Sequence, residues 1–212
     1  SVDDFEKNKN EIIQTVLKAS SFENIPFAVF KITGLGKTSL IRKLNQKDIE
    51  ISVSEKTEKE QLIDRVDQIC KVAYENNISV FIDAEDSWFQ DFIDEVAEMM
   101  IEKYNLKMPI VYNTIQLYRH DRIQYMKNLI ERCKKLKVYL GLKLVRGAYM
   151  EKEREIASML NYLDPIHKTK KETDNDYDTA LKYCVEYLDF VSICAGSHNE
   201  KSSILLSNLM KE

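Results

Sequence analysis

The sequence predicts an α/β fold built as a partial (β/α)8 TIM-type barrel with about five strand–helix units. Short apolar stretches alternate along the chain with longer segments in which apolar residues recur every three or four positions. That alternation is typical of parallel strands covered by helices. Nearly every apolar stretch ends in polar or charged residues, and the active sites of (β/α)8 barrels lie at the carboxyl ends of the strands.

The five predicted strands cover residues 26–33, 78–85, 109–116, 138–146 and 190–198. The fourth is the most informative, because Lys143 and Arg146 interrupt its apolar run. Burying either cation without a partner is costly, so we expect an anionic or electron-rich group beside them. Gly147 then allows a sharp turn into a helix.

The remaining segments complete a single predicted domain over 1–212. A helical segment, 1–25, precedes the first strand, and a long excursion of helices and loops, 34–77, separates the first strand from the second. The charged middle of this excursion, 46–60, is predicted to be a solvated loop. Amphipathic helices then follow each strand, as their apolar spacing indicates.

Composition excludes several functional classes. The chain has 44% hydrophobic and 31% charged residues and a formal net charge of -4. Lys and Arg alternate with acidic residues along the helices, which argues against a nucleic-acid partner. The four cysteines and three histidines have no metal-ligand spacing, so no metal site is predicted. Gly36-Lys37-Thr38 lacks the first glycine of a phosphate loop, since Lys31 stands at that position.

Five short motifs resemble, in order and spacing, the strand-end motifs of the proline dehydrogenase family. The resemblance runs from about Phe27 to the end of the chain, and its most specific part is Leu-Val-Arg-Gly-Ala-Tyr at 144–149. The five motifs lie at 30–35, 82–85, 112–119, 143–149 and 195–199.

The resemblance implies a distorted (β/α)8 barrel that holds FAD and oxidises L-proline to Δ1-pyrroline-5-carboxylate in proline catabolism. Electrons would pass to a quinone at a membrane surface. The implied location is cytoplasmic or peripheral to the membrane in a bacterium, and mitochondrial in a eukaryote.

On the substrate side, the resemblance implies that Lys31 meets the substrate carboxylate and that Asp83 lies in the same pocket, where it could pair with Lys31. Tyr149 would pack against the cofactor or substrate. From the residues alone, Lys31 and Asp83 could instead form a buried ion pair between neighbouring strands, and Tyr149 could be a core residue.

On the cofactor side, the resemblance implies that Lys143 lies near the reactive nitrogen of the flavin and that Gln116 hydrogen-bonds the flavin. Arg146 and His198 would contact the ring or the phosphate and ribose portion. The order Lys143 then Arg146 resembles the mitochondrial-type branch, whereas the bacterial bifunctional branch has arginine then lysine. From the residues alone, Gln116 could cap a turn and His198 could cap a helix.

Two other classes stay open at this stage. A lysine at a strand end, Lys31 or Lys143, could form a Schiff base in an aldolase-like lyase. The second open class is a non-catalytic scaffold fragment. Family members continue into three more strands, so we expect a fragment that has little or no activity alone and that self-associates across two open sheet edges.

Overall fold

The computed structural model describes residues 1–46 and 48–211. The strands of this part of the chain are β1 Phe27–Phe30, β2 Ser79–Ile82, β3 Val111–Gln116, β4 Leu140–Val145 and β5 Val191–Gly196. The helices are α1 Val2–Ser20, α2 Thr38–Leu44, α3 Val53–Glu75, α4 Ser87–Tyr104, α5 Arg122–Leu136, α6 Met150–Leu160, α7 Lys170–Val185 and α8 Glu200–Leu209, with a 3-10 turn at Ile32–Gly34. Within 1–46 and 48–211, none of the helices is long and apolar enough to cross a membrane.

The strands follow one another in the sheet in chain order, from β1 to β5. β1 pairs with β2, β2 with β3 and β4 with β5, each in parallel. Helices lie between successive strands, because parallel neighbours need a crossover connection. The predicted α/β fold with five strand–helix units is confirmed. Each predicted strand contains an observed one, although the observed strands are shorter.

The chain divides into two compact units, 1–113 and the residues from Thr114 onward. β3 begins in the first unit and ends in the second, and all six of its residues are buried. The first unit has a core of aliphatic side chains that include Ile32, Leu35, Leu62, Ile69, Ile82 and Ile93. The core of the second unit includes Leu140, Leu142, Leu144, Tyr177 and Leu181.

Polar contacts fix α1 to α3 in the first unit. Arg65 donates from Nε to Glu6 Oε1 at 2.6 Å and from Nη1 to the carbonyl of Leu35 at 3.2 Å. Lys9 donates to the other Glu6 oxygen at 2.7 Å. These bonds, from Lys9 first and then from Arg65, lower the pKa of Glu6. Arg65 and Lys9 are nearly buried, so their pairing with Glu6 satisfies charges that would otherwise be costly.

The predicted solvated loop over 46–60 is wrong from Val53 onward, where α3 begins; Lys47 of that segment lies outside the described residues. A capping box explains the early start, because Ser52 and Glu55 each bond the other's backbone N–H. Lys43 also donates to both oxygens of Glu55 at 2.8 Å. The Lys43 hydrogen bond, with those from Ser52, lowers the pKa of Glu55 to about 2.

Candidate active site

In the first unit, Lys31 and Asp83 lie just beyond the carboxyl ends of β1 and β2. The backbone N–H of Asp83 donates to the carbonyl of Phe30 at 2.9 Å, which continues the strand pairing to this point. Both residues line a cavity of about 460 Å3 together with side chains of α1, including Asn8 and Glu11. Lys31 is exposed and Asp83 half-buried, so a fully buried ion pair does not describe them.

In the second unit, Gln116 is the last residue of β3 and is only 2% exposed. It therefore belongs to a buried strand rather than to a turn. Lys143 is half-buried on β4, where its partner in the sheet register is Cys194 of β5. Burial raises the pKa of the Cys194 thiol, and the positive charge of Lys143 opposes this shift. Lys143 is thus a cation in the carboxyl-terminal half of β4.

Arg146 follows β4 and is held by three side chains of the second unit. Its Nε donates to Asp174 Oδ1 at 2.6 Å, Nη1 to Ser197 Oγ at 2.7 Å and Nη2 to Ser202 Oγ at 2.8 Å. The guanidinium carbon lies 4.2 Å from the centroid of the Tyr177 ring, within cation–π range. The anionic partner expected for this cation is therefore a carboxylate of the chain itself.

The Arg146 contacts continue into α7 and α8. Ser202 Oγ donates to Asp178 Oδ1 at 2.6 Å, and Lys170 donates to Asp174 Oδ2 at 2.6 Å. Burial raises the pKa of Asp174, but the hydrogen bonds from Lys170 and Arg146 outweigh burial and lower it overall. We call Arg146, Asp174, Ser197 and Ser202 the Arg146 network.

Gly147 makes the turn that the sequence predicts. Its φ is +134°, a value that L side chains rarely adopt, and a Cβ atom there would lie 2.4 Å from the Tyr118 ring. The backbone N–H of Tyr118 donates to the carbonyl of Arg146 at 2.6 Å, and His167 N–H donates to the Tyr118 carbonyl at 2.7 Å. Glycine thus allows the segment after β3 to pack closely on the end of β4.

The remaining two predicted residues of the second unit are His198 and Tyr149. His198 is exposed in the loop between β5 and α8. The cap of α8 is Asn199, whose side chain accepts a hydrogen bond from Ser202 N–H at 3.2 Å, so His198 does not fill that role. Tyr149 is half-buried at the N-cap of α6 and makes no side-chain capping bond.

The chemistry of these donors fits a flavin dinucleotide. Lys143 supplies a positive charge and Gln116 an amide, both suited to the electron-rich atoms of an isoalloxazine ring. Arg146 uses one N–H of Nη1 and one of Nη2 in its network, and each of these nitrogens carries a second N–H. A phosphate or ring oxygen is a suitable acceptor for those hydrogens.

Several residues that shape the site had no role assigned from sequence. Asp174 and Ser202 lie on helices, 28 and 56 positions from Arg146, and no local pattern links them to it. Ser197 stands in the motif at 195–199. Glu85 is the last residue of the motif at 82–85, and its position after a strand could have marked it as a candidate site residue.

Comparison with known proteins identifies the family. The family model described as "Proline dehydrogenase" matches residues 3–212. The chain is 33% identical over 161 residues to proline dehydrogenase 1, mitochondrial, of Drosophila melanogaster, covering 71% of this chain and 24% of that protein. It is 31% identical over 188 residues to the Homo sapiens protein of the same name, covering 85% and 31%.

Solved structures agree at the level of the fold. The proline utilization A (PutA) structure from Bdellovibrio bacteriovorus, inactivated by N-propargylglycine, matches with a TM-score of 0.84 at 20% identity, covering 100% of this chain and 23% of that chain. The predicted partial (β/α)8 barrel is thereby supported. The fold therefore defines the chain as an α/β protein of the partial (β/α)8 barrel class.

The chain belongs to the proline dehydrogenase family. By its name that family is one of oxidoreductases rather than of Schiff-base lyases. The chain spans about a quarter to a third of the length of the fly and human relatives.

Proposed function

We propose that this chain supplies flavin-binding and substrate-binding residues for the oxidation of L-proline to Δ1-pyrroline-5-carboxylate. One observation carries the proposal. Within each unit, the candidate residues lie in the carboxyl-terminal half of a parallel strand or in the loop that follows it, where barrel enzymes place their catalytic groups. Membership of the proline dehydrogenase family supplies the reaction class.

The substrate side of the proposal concerns Lys31, Asp83 and Tyr149. Lys31 is an exposed cation at the end of β1 and would bind the proline carboxylate. Asp83, which lines the same cavity, would balance that charge and orient the ammonium group. Tyr149 would pack against the bound substrate or cofactor. Oxidation would remove a hydride from the ring CH2 carbon next to nitrogen, for transfer to the cofactor, and a proton from nitrogen, for transfer to water, and the C=N bond would form between these two atoms.

The cofactor side concerns Gln116, Lys143, Arg146 and His198. FAD held by these residues would supply the hydride acceptor. Lys143 would hold a positive charge near the ring, which favours an electron-rich reduced form. Gln116 would hydrogen-bond the ring, and the second N–H groups of Arg146 Nη1 and Nη2 would bind ring or phosphate oxygens. His198, exposed beside the network, would contact the ribose or phosphate portion.

The proposal extends to partners and location. A quinone at a membrane surface would reoxidise the flavin, and the mitochondrial names of the fly and human relatives suggest a mitochondrial setting if the chain is eukaryotic. A bacterial chain would be cytoplasmic or peripheral to the membrane. We also propose that the chain taken alone has little activity and self-associates through the edge strands β1 and β5 of the described sheet.

The visible absorption spectrum of the purified chain with FAD, recorded before and after addition of L-proline, tests flavin binding and substrate oxidation separately. Lys143→Met should weaken FAD binding about tenfold, since it removes a charged contact of roughly 1.5 kcal/mol. Lys135→Met, at an exposed position on α5, is the matched control and should leave binding unchanged.

Each outcome is decisive for one part of the proposal. Flavin bound by the chain and bleached by proline would establish oxidation and overturn the statement that the chain alone has little activity. Flavin bound but not bleached would support cofactor binding together with that statement. Failure to bind FAD, or equal loss in both lysine variants, would overturn the assignment of the cofactor residues.

A further inference from the structure

Glu85 and Thr33, which lie in the segments that follow β2 and β1, make a part-buried contact. Thr33 donates from its backbone N–H to Glu85 Oε1 at 3.1 Å and from its hydroxyl to Glu85 Oε2 at 2.5 Å. Glu85 is 6% exposed, so its carboxyl group is shielded from water and accepts hydrogen bonds from Thr33 instead. Its own backbone N–H donates to Gln90 Oε1 at 2.8 Å. The side-chain carboxylate and the backbone N–H of Glu85 are therefore both hydrogen-bonded.

Thr33 lies in the 3-10 turn Ile32–Gly34, and Lys31 is the residue from which this turn starts. Gly34 N–H donates to the Lys31 carbonyl at 3.2 Å, and the Ile32 side chain is fully buried. The turn has few ways to move while Ile32 stays in the core and both Thr33 bonds stay formed. The hydrogen bonds between Thr33 and Glu85, which follows β2, thus restrain the backbone of Lys31.

The charge around Glu85 is consistent with a link to Lys31. Burial raises the pKa of the Glu85 carboxyl, and the neighbouring Asp86 raises it further. The Thr33 hydrogen bonds and the positive charge of Lys31 act in the opposite direction. Lys31 is therefore close enough to Glu85 for their charges to interact.

We propose that Glu85, through its two hydrogen bonds to Thr33, is a positioning residue that holds Lys31 for binding of the substrate carboxylate. This inference rests on the proposed proline dehydrogenase function, in which Lys31 binds that carboxylate. Glu85 acts through Thr33 and the turn, and it has no contact with substrate in this scheme.

The test uses substitutions at Thr33 that differ by one hydroxyl group. Thr33→Val keeps the shape and the backbone N–H but removes the hydroxyl donor, whereas Thr33→Ser keeps the donor. The probe is cyclopentanecarboxylate, which has the ring and carboxylate of proline but no nitrogen to oxidise. Calorimetry on the protein supplied with FAD should show about tenfold weaker binding for Thr33→Val and a change within about twofold for Thr33→Ser.

A double-mutant cycle separates positioning from general stability. Lys31→Met should weaken binding of cyclopentanecarboxylate, and Thr33→Val should add nothing further in that background. The neutral cyclopentanecarboxamide should bind equally to all variants. Glu85→Gln, which retains the side-chain volume with one acceptor oxygen, should give an intermediate loss, and it serves as the second variant if Thr33→Val unfolds.

The outcomes distinguish the two levels of the proposal. If the unsubstituted protein does not bind the probe, or if Lys31→Met leaves the affinity unchanged, the role of Lys31 in the proposed function is wrong and the inference fails with it. If Lys31→Met weakens binding but Thr33→Val does not, Lys31 keeps its role and the positioning role of Glu85 is overturned. An equal Thr33→Val loss with and without Lys31 would also overturn it.

Discussion

Replacing Arg146 with methionine should destabilise the chain far more than replacing the other cation that contacts Asp174. Arg146 and Lys170 both approach Asp174 at 2.6 Å, yet the Arg146 side chain is 19% exposed and that of Lys170 is 75% exposed. Removing one partner of a buried pair costs about 3–5 kcal/mol, and an exposed pair contributes about 0–1 kcal/mol.

The expected loss for Arg146→Met is about 2–3 kcal/mol, below the fully buried range because Asp174 is itself 27% exposed and keeps Lys170. Lys170→Met should lose about 0.5 kcal/mol or less. Urea unfolding of the FAD-free chain, followed by far-ultraviolet circular dichroism, measures both. Arg146→Lys should lie between them, since one ammonium group replaces three donor nitrogens. Equal losses for Arg146→Met and Lys170→Met would refute the reasoning.

Two further predictions concern the turn after β4 and the start of α3. Gly147→Ala should lower stability by about 2–4 kcal/mol in thermal unfolding, because the new Cβ would strike Tyr118 at a backbone angle that disfavours side chains. Gly34→Ala, which has open space around its Cβ position, should change stability by no more than about 1 kcal/mol. Glu55→Gln should lower stability at neutral pH, and the difference from the unsubstituted chain should disappear as pH falls from about 4.5 to about 2.

The sign of the Glu55 effect follows from the lowered pKa in the folded state. The ionised carboxylate is stabilised by Lys43, so its contribution is complete above the pKa of the unfolded chain and is lost as the group takes up a proton. The glutamine of the Glu55→Gln variant cannot titrate, and its side-chain oxygen can still accept the capping bond. Urea unfolding at several pH values would contradict the assignment if the difference between the two chains stayed constant below pH 4.5. For Gly147, equal losses at Gly147 and Gly34 would contradict the steric argument.

The strands and the positions of the strand-end residues were predictable because they depend on local apolar runs and on a general property of parallel sheets. The start of α3 was missed because charged residues over 53–60 resemble a loop, although the Ser52 and Glu55 pair is a recognised cap. The partners of Arg146 were not predictable, since Asp174 and Ser202 reach it only through the folding of α7 and α8. An apolar run with a cation indicates that a partner exists but does not say where it lies.

The spacing of the Arg146 partners along the chain has a kinetic consequence. Asp174, Ser197 and Ser202 lie 28, 51 and 56 residues after Arg146, so the full set of bonds forms only after α7 and α8 have both folded against the end of β4. Contacts of such sequence separation are slow to form because closing long loops loses entropy. We therefore expect the Arg146 contacts mainly to slow unfolding. Loss of Arg146 should shorten the lifetime of the native state and change the refolding rate little.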